Sequence, residues 1–457
     1  TAPSNLDPRF ATDASSERIN GLLYSKLVKF DEKLLPIPSL ANWVKIDNRT
    51  YRFRLLADRP EFSNGQRLTS RDVIASYRYV LDATKLSPHR EAVSIIDKIR
   101  FIDDETLDFV LKQPDPLFPA YLNNAVLPEK LIQSQHDFNL DPVGSGPFKL
   151  FERVSQQRLV LQRRSDGQRV QIQQVKDPTV RVLKLLNREI DLLQNDLSPE
   201  MVHYLSEQQG IVHSYKQGSN FSYLGFNLAD PVTGKPVIRQ AISHAINRDD
   251  IIRYAFNQAA ITAEAILPPE HWAGHRSLKK IQFDPELSRK LLAQQGYDDG
   301  RRLQLIYKTS SDPFRIRLAT IIQSQLADVG IDVVIKSYDW GTFFGDIKKG
   351  NFQMYSLSWV GINTPDIFKY VFHSSSVPPS GANRGRYHSE EVDQLLDQVP
   401  TIEELDEQAA AYRQIQAILH EDLPYIPLWY EHQQAFMNQK LTGYALSADG
   451  NYDSLVN

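Results

Sequence analysis

Hydrophobic and polar positions along the chain follow two periods that alternate for most of its length. Tyr51, Phe53 and Leu55 alternate with Arg52 and Arg54, the two-residue period of a strand with one buried face. Ile19, Leu22, Leu23 and Leu27 recur at helical spacing within SSERINGLLYSKLVKF, and Pro36 and Pro38 close that segment. Asn64-Gly65 marks a turn. Thr69, followed three residues later by Asp72, predicts a capping box opening a helix through Val73, Tyr77, Val80 and Leu81. IRFIDDETLDFVLK reads as a hairpin about Asp103-Asp104-Glu105, so residues 36–140 form a compact α+β unit. DPVGSGPF, Asp141 to Phe148, then punctuates the chain with glycine and proline and reads as a crossover between domains, since no Lys-Ser/Thr follows to make it a phosphate loop. FKLFERV and RLVLQRR form a second hairpin.

Farther along, a helix from Val180 leads to a strand-like Ile190–Leu193, Ser222 to Asn227 is a short strand, and Lys235 to Ala245 is an amphipathic helix. Asn247 is placed to cap the next helix, which carries Ile251, Ile252, Tyr254 and Ala255. Asp284-Pro285 and Asp312-Pro313 each start a helix, and Gly296 and Gly330 stop them, with a branched strand after each. This alternation over 223–360 indicates an α/β lobe. It ends in NFQMYSLSWVGINTPDIF, Asn351 to Phe368: a strand over Phe352–Trp359, a break at Gly361, and a helix starting at Thr364-Pro365-Asp366. Trp359, Ile362 and Asn363 therefore fall at the carboxyl end of a strand, where open α/β sheets bind ligands. The last part holds a helix from Ser389, a longer one over about Ile402–Leu419, and the strand LPYIPLWY.

Length and charge narrow the class. At 457 residues the chain exceeds one core and implies two or three domains. The 52 basic and 56 acidic side chains give a net charge of −4, no electrostatic invitation to nucleic acid. The absence of cysteine excludes disulfides, thiolate metal sites and cysteine nucleophiles. The chain opens at TAPSNLDPRF, as a mature or trimmed exported protein would.

Catalytic patterns are thin. There is neither HExxH nor G-x-S-x-G, and His271 and His275, though four apart, straddle Gly274 after a Pro-Pro pair, a poor frame for a metal. Aromatics are more informative. Tyr24, Tyr223, Phe226, Tyr338, Trp340, Trp359, Phe368 and Tyr387 fall near element ends, where rings either line a cleft or pack the core. Asn383 and Arg384 lie in the glycine-rich loop GANRGRY, and an arginine there either holds a carboxylate in a two-pronged grip or pairs within the structure.

The order of these segments resembles the periplasmic oligopeptide-, dipeptide- and nickel-binding proteins of ABC importers, the family 5 extracellular solute-binding proteins. The similarity runs from LDPRFATD (Leu6–Asp13) through PSLANW, TYRFRLLADRPEFSNGQRLTSRDVIASYRYVLD, DPVGSGPFKL, YLGFNLADPVTGKPVIRQAISHAINRDDII, FDPELSRKLLAQQGY and YHSEEVDQLLDQ to LPYIPLWY (Leu423–Tyr430). The resemblance implies an α/β, two-lobed periplasmic binding protein fold (class II-like) with an additional α+β domain. Lobe I is then 1–35, 143–225 and 436–457, the extra domain 36–142, and lobe II 226–435, with hinges near Gly225 and after Tyr430. It implies a non-enzymatic protein without cofactor, acting as a monomer and located in the periplasm or lipid-anchored on the outer face of a bacterial membrane. Its partners are a peptide or other small ligand and the permease and ATPase of an importer. A ligand sensor or chaperone-like module uncoupled from transport is the alternative. Ligand-facing candidates are Trp359, Ile362, Asn363, Tyr223, Asn227, Asn383, Arg384 and Trp340. In peptide-binding members an aspartate three residues after the tryptophan holds the peptide α-ammonium. Here that position is Ile362, so the resemblance implies an atypical ligand.

Overall fold

Two long antiparallel strands, Ile211–Phe226 and Tyr425–Asn438, form the spine of the computed structural model, which describes all residues except 1, 2, 4, 32, 156, 196, 299, 361, 363 and 457. They are the middle of a seven-stranded sheet whose order is Leu192–Gln194, Tyr425–Asn438, Ile211–Phe226, Met354–Trp359, Leu303–Ser310, Ile331–Tyr338, with Ala260–Thr262 against the second of these. The short strand expected over Ser222–Asn227 is thus only the end of a 16-residue one. Its first half carries His213, Ser214, Lys216 and Gln217, too polar to show a buried face.

The two ends of the spine keep different company. Ile211–Lys216 pairs with Gln433–Asn438, where Phe436 packs with Leu193 and the helices Pro178–Leu186 and Pro199–Ser206 through Val182, Leu185, Val202 and Leu205. Phe221–Gly225 stays paired with Tyr425–Tyr430 and gains Met354–Trp359 along its other edge. Between them the register shifts from Lys216 to Asn220. A side chain at Gly218 would put its Cβ 2.3 Å from the Glu431 carbonyl oxygen, so the close crossing there needs glycine. Met354–Trp359 joins the ribbon beyond this bulge; a second register shift against Tyr425–Asn438 falls between Ser222 and Tyr223, and Gly225 lies between Tyr355 and Tyr425.

On the far side of the bulge, one continuous core runs from Leu6 to Leu161. It joins the helix Ala14–Leu23, capped by Asp13, to the antiparallel sheet Ala41–Asp47, Thr50–Leu55, Thr106–Leu111, Ile96–Asp103 and to the three-stranded sheet beginning at Phe148. Thr69 and Asp72 form the capping box of Ser70–Leu81, and Tyr77 meets Phe109 edge-on at 5.3 Å. The DPVGSGPF segment is a seam: Cβ atoms at Gly144 and Gly146 would strike the Leu23 and Leu22 carbonyls at 2.1 and 2.4 Å.

On the near side, Leu303–Ser310 and Ile331–Tyr338 are parallel and connected by the helix Pro313–Ala327. Asp312 caps that helix by accepting from Arg315 N, and Gly330 beyond it takes φ 92°. Asn247 accepts from Asp250 N, but the helix it starts widens into a π-turn over Ile251–Ala255. The helix expected from Thr364 begins at Ile367 instead, with Asp366 at the cap position making no side-chain capping bond.

Candidate functional site

Strand alternation sends Phe221, Tyr223, Tyr355 and Trp359 to one face of the large sheet, where a third hydrophobic cluster collects them with Ile362, Phe343, Phe368, Tyr412 and Tyr425. Leu117, from the first unit, belongs to the same cluster, and Tyr121 packs against it. This face is therefore where the two packing units meet.

Its polar centre is Arg384. The side chain is almost wholly buried, and Nη1 donates to Tyr223 Oη at 3.1 Å. The guanidinium carbon lies 4.7 Å from the centre of the Trp359 ring and 5.2 Å from that of Phe344. No acidic group among the described residues pairs with it. Tyr223 stacks on Tyr425 at 3.9 Å and meets Tyr355 edge-on at 5.9 Å. The Tyr355 and Tyr425 hydroxyls are occluded and grouped with that of Tyr223, and the Trp359 indole N–H is occluded with no acceptor among the described residues. Burial pushes both tyrosine hydroxyls well above the ordinary phenol range, so they remain protonated.

The other sequence candidates divide in two. Trp340 is 59% exposed and stacks on Phe344 at 5.3 Å, extending the aromatic run outward from Arg384. Ile362 is 6% exposed within the apolar cluster. Asn227 donates to the Gly350 and Phe352 carbonyls, both at 3.2 Å, which fixes the entry to the Trp359 strand. Asn383 donates to the His373 and Tyr387 carbonyls and accepts from Tyr387 N at 2.8 Å, which shapes the loop presenting Arg384. These two amides are spent on backbone. Asn363 lies outside the described residues.

Sequence reasoning missed Tyr355 and Tyr425, which join the wall only through strand pairing, Phe344, which the helix Trp340–Lys349 brings to Arg384, and two carboxylates. Asp115 is buried, accepts from Leu117 N at 2.9 Å, and is raised to about 6 by burial and more weakly by Asp366. Asp366, bonded to Thr364 Oγ1, is open to solvent yet raised by desolvation. On the opposite sheet face, Ser222 Oγ donates to Glu431 Oε1 at 2.8 Å, and Arg315 Nη1 bonds that same oxygen at 3.0 Å. Burial works against the Glu431 charge, but Arg315 together with the Ser222 and Trp429 hydrogen bonds outweighs it and holds the carboxyl below its ordinary range. His271 is buried with Nδ1 accepting from Ala273 N, and no metal-binding cluster occurs among the described residues.

Two packed units bridged by a bulged ribbon, with a cluster of rings and one buried guanidinium where they meet, make an α/β protein of the two-lobed kind. The chain belongs to the bacterial extracellular solute-binding proteins, family 5, whose pattern it matches over residues 18–379; these are the non-enzymatic binding proteins of ABC importers. It is 25% identical to the dipeptide-binding protein of Escherichia coli (strain K12), over 99% of this chain and 92% of that one. It is also 25% identical to heme-binding protein A of Haemophilus influenzae, over 99% and 90%. Among solved structures, a periplasmic binding protein of Helicobacter pylori in complex with the peptide STSA superposes with a TM-score of 0.81 at 27% identity, covering 99% of this chain and 95% of that one.

Proposed function

We propose that the chain captures a small solute between its two lobes in the periplasm, hands it to an ABC permease, and takes a ligand without a free α-ammonium group. The lobes correspond to the units on either side of Gly218, and Trp359, Tyr223, Arg384 and Phe344 form the ligand-facing wall. Ile362 carries the reading. Where the family resemblance calls for a carboxylate three residues after the tryptophan, this chain has an apolar side chain packed with Phe368 and Tyr425. An ammonium held there without a counter-charge loses several kcal/mol on desolvation. Relatives of equal identity are named for a dipeptide and for heme, so overall likeness does not choose the ligand.

Calorimetry with unmodified and N-acetylated di- and tripeptides tests this. Binding that tolerates acetylation is expected; tight binding of the free-amine forms that acetylation abolishes would sink the reading. Ile362→Asp is expected to lower stability, by placing a carboxylate in the apolar cluster, and to confer weak affinity for free-amine peptides.

A further inference from the structure

The arginines of this chain show what they do when a carboxylate is within reach. Arg52 grips Asp108 with Nε at 2.7 Å and Nη2 at 2.9 Å, and Arg9 uses the same edge on Asp7. That edge of the guanidinium presents two parallel N–H groups matched to a planar carboxylate. In Arg384 only Nη1 is engaged, on Tyr223, and the Nε and Nη2 edge makes no hydrogen bond. These two nitrogens are not among the occluded unpartnered atoms, so the residue's 9% exposure includes them and the edge keeps contact with solvent.

The surroundings add positive charge and no competing acid. Arg386 stands two residues on and donates to the Arg384 carbonyl. Lys348 lies 5.2 Å from the Phe344 ring centre, the ring that Arg384 also faces. The nearby acids are engaged: Asp346 pairs with Lys308 at 2.6 Å, and Asp422 accepts from Tyr387 Oη at 2.5 Å. The Trp359 and Phe344 rings both face the guanidinium, and the Trp359 indole N–H is a further donor without an acceptor among the described residues.

We infer that the free Nε/Nη2 edge of Arg384 is the anchor for a planar carboxylate of the transported solute, whose apolar body lies along Trp359 and Phe344. This rests on the reading that the solute binds at this wall, and it supplies the charged contact that Ile362 removes from the opposite end of a peptide-like ligand. Phosphate shares the charge but not the planarity.

The test is calorimetry on the whole protein with N-acetyl-phenylalanyl-alanine, its C-terminal amide and inorganic phosphate, on wild type, Arg384→Lys and Arg384→Gln. The acid is expected to bind roughly 10- to 100-fold tighter than the amide in wild type, the range for a charge-assisted pair. Arg384→Lys keeps the charge and loses the fork, and should lose most of that discrimination while quenching of tryptophan fluorescence by the acid falls with it. Equal binding of acid and amide, binding of neither, phosphate binding in preference to the acid, or unchanged discrimination in a folded Arg384→Lys would each overturn the inference. Running the free-amine peptide and its amide alongside separates the two claims. A strict need for the amine defeats the ammonium-free reading, while the acid-against-amide ratio alone decides the role of Arg384.

Discussion

Asp115 should make the protein less stable as pH rises from about 4 to about 7, and Asp115→Asn should remove that slope. The carboxyl is 4% exposed and sits in the turn before Phe118–Tyr121, where the first unit meets the second. Burial lifts it to about 6; the Leu117 N–H and the Tyr121 hydroxyl pull it down, and Asp366 pushes it up. Tyr51, whose hydroxyl donates to the Asp115 carbonyl, and Tyr412 are the other titratable groups facing it, and both stay protonated because burial raises them. The sign follows from the direction of the shift. A carboxyl raised in the folded state binds its proton more tightly there than in the unfolded chain, so its favourable contribution is complete below the unfolded value near 4 and is lost as pH climbs through 6. A displacement of about two pKa units at 1.36 kcal/mol each corresponds to roughly 3 kcal/mol between the two pH values. Asparagine keeps an oxygen for the Leu117 N–H and carries no charge. Urea unfolding followed by tryptophan fluorescence should therefore show wild type and Asp115→Asn alike near pH 4, with the variant more stable at neutral pH by up to about 3 kcal/mol. Parallel pH profiles for the two proteins would refute the account, and so would a variant less stable than wild type at pH 7.

Three further outcomes follow from particular contacts. Gly218→Ala drives a Cβ into the Glu431 carbonyl and should cost about 1–3 kcal/mol in a melting experiment, as overpacking does. Arg315→Met leaves Glu431 charged and unpaired; because a third of Arg315 is in water, the loss should be about 2 kcal/mol, below that of a fully buried pair, and Glu431→Gln in the same chain should recover most of it. The Glu431 contribution runs opposite to Asp115: its depressed carboxyl stabilises at neutral pH and that share is lost on acidification, so the Arg315→Met penalty should shrink at low pH.

The local grammar of the sequence carried most of the elements. Proline after an acid gave both Asp284 and Asp312 as helix caps, and the Thr69–Asp72 box is formed as read. Thr364-Pro365-Asp366 had the same grammar and behaved differently, because Asp366 bonds to Thr364 and the helix starts one residue beyond it. The length of the spine strands was hidden, since Lys216 to Asn220 is polar and bulged and offers no alternation to read. Trp359 and Arg384 were legible as candidates, whereas their union with Tyr223, 161 residues from Arg384 in sequence, depends on pairing that no local pattern encodes. Asn227 and Asn383 looked like ligand groups for the same reason they are useful to the backbone: an amide satisfies carbonyls in irregular loops as readily as it satisfies a solute.

On the proposed division into lobes at Gly218, the position of the bulge decides how the aromatic wall responds to opening. Tyr223, Phe344, Tyr355, Trp359, Arg384 and Tyr425 all belong to the unit on one side of Gly218, and the pairing of Phe221–Phe226 with Met354–Trp359 is continuous through them. Parting the units at the ribbon leaves this wall intact. The other unit contributes Leu117 and Tyr121 to the same cluster and reaches across elsewhere through exposed pairs such as Lys45 with Glu403 and Arg317 with Glu200. Pairs of that kind contribute about 0–1 kcal/mol each, too little to hold the units together unaided. On the proposed reading, closure buries Leu117 and Tyr121 at this boundary, where Asp366 raises the Asp115 carboxyl only weakly, and a solute on the Trp359–Arg384 wall shifts the balance by the contacts it adds there.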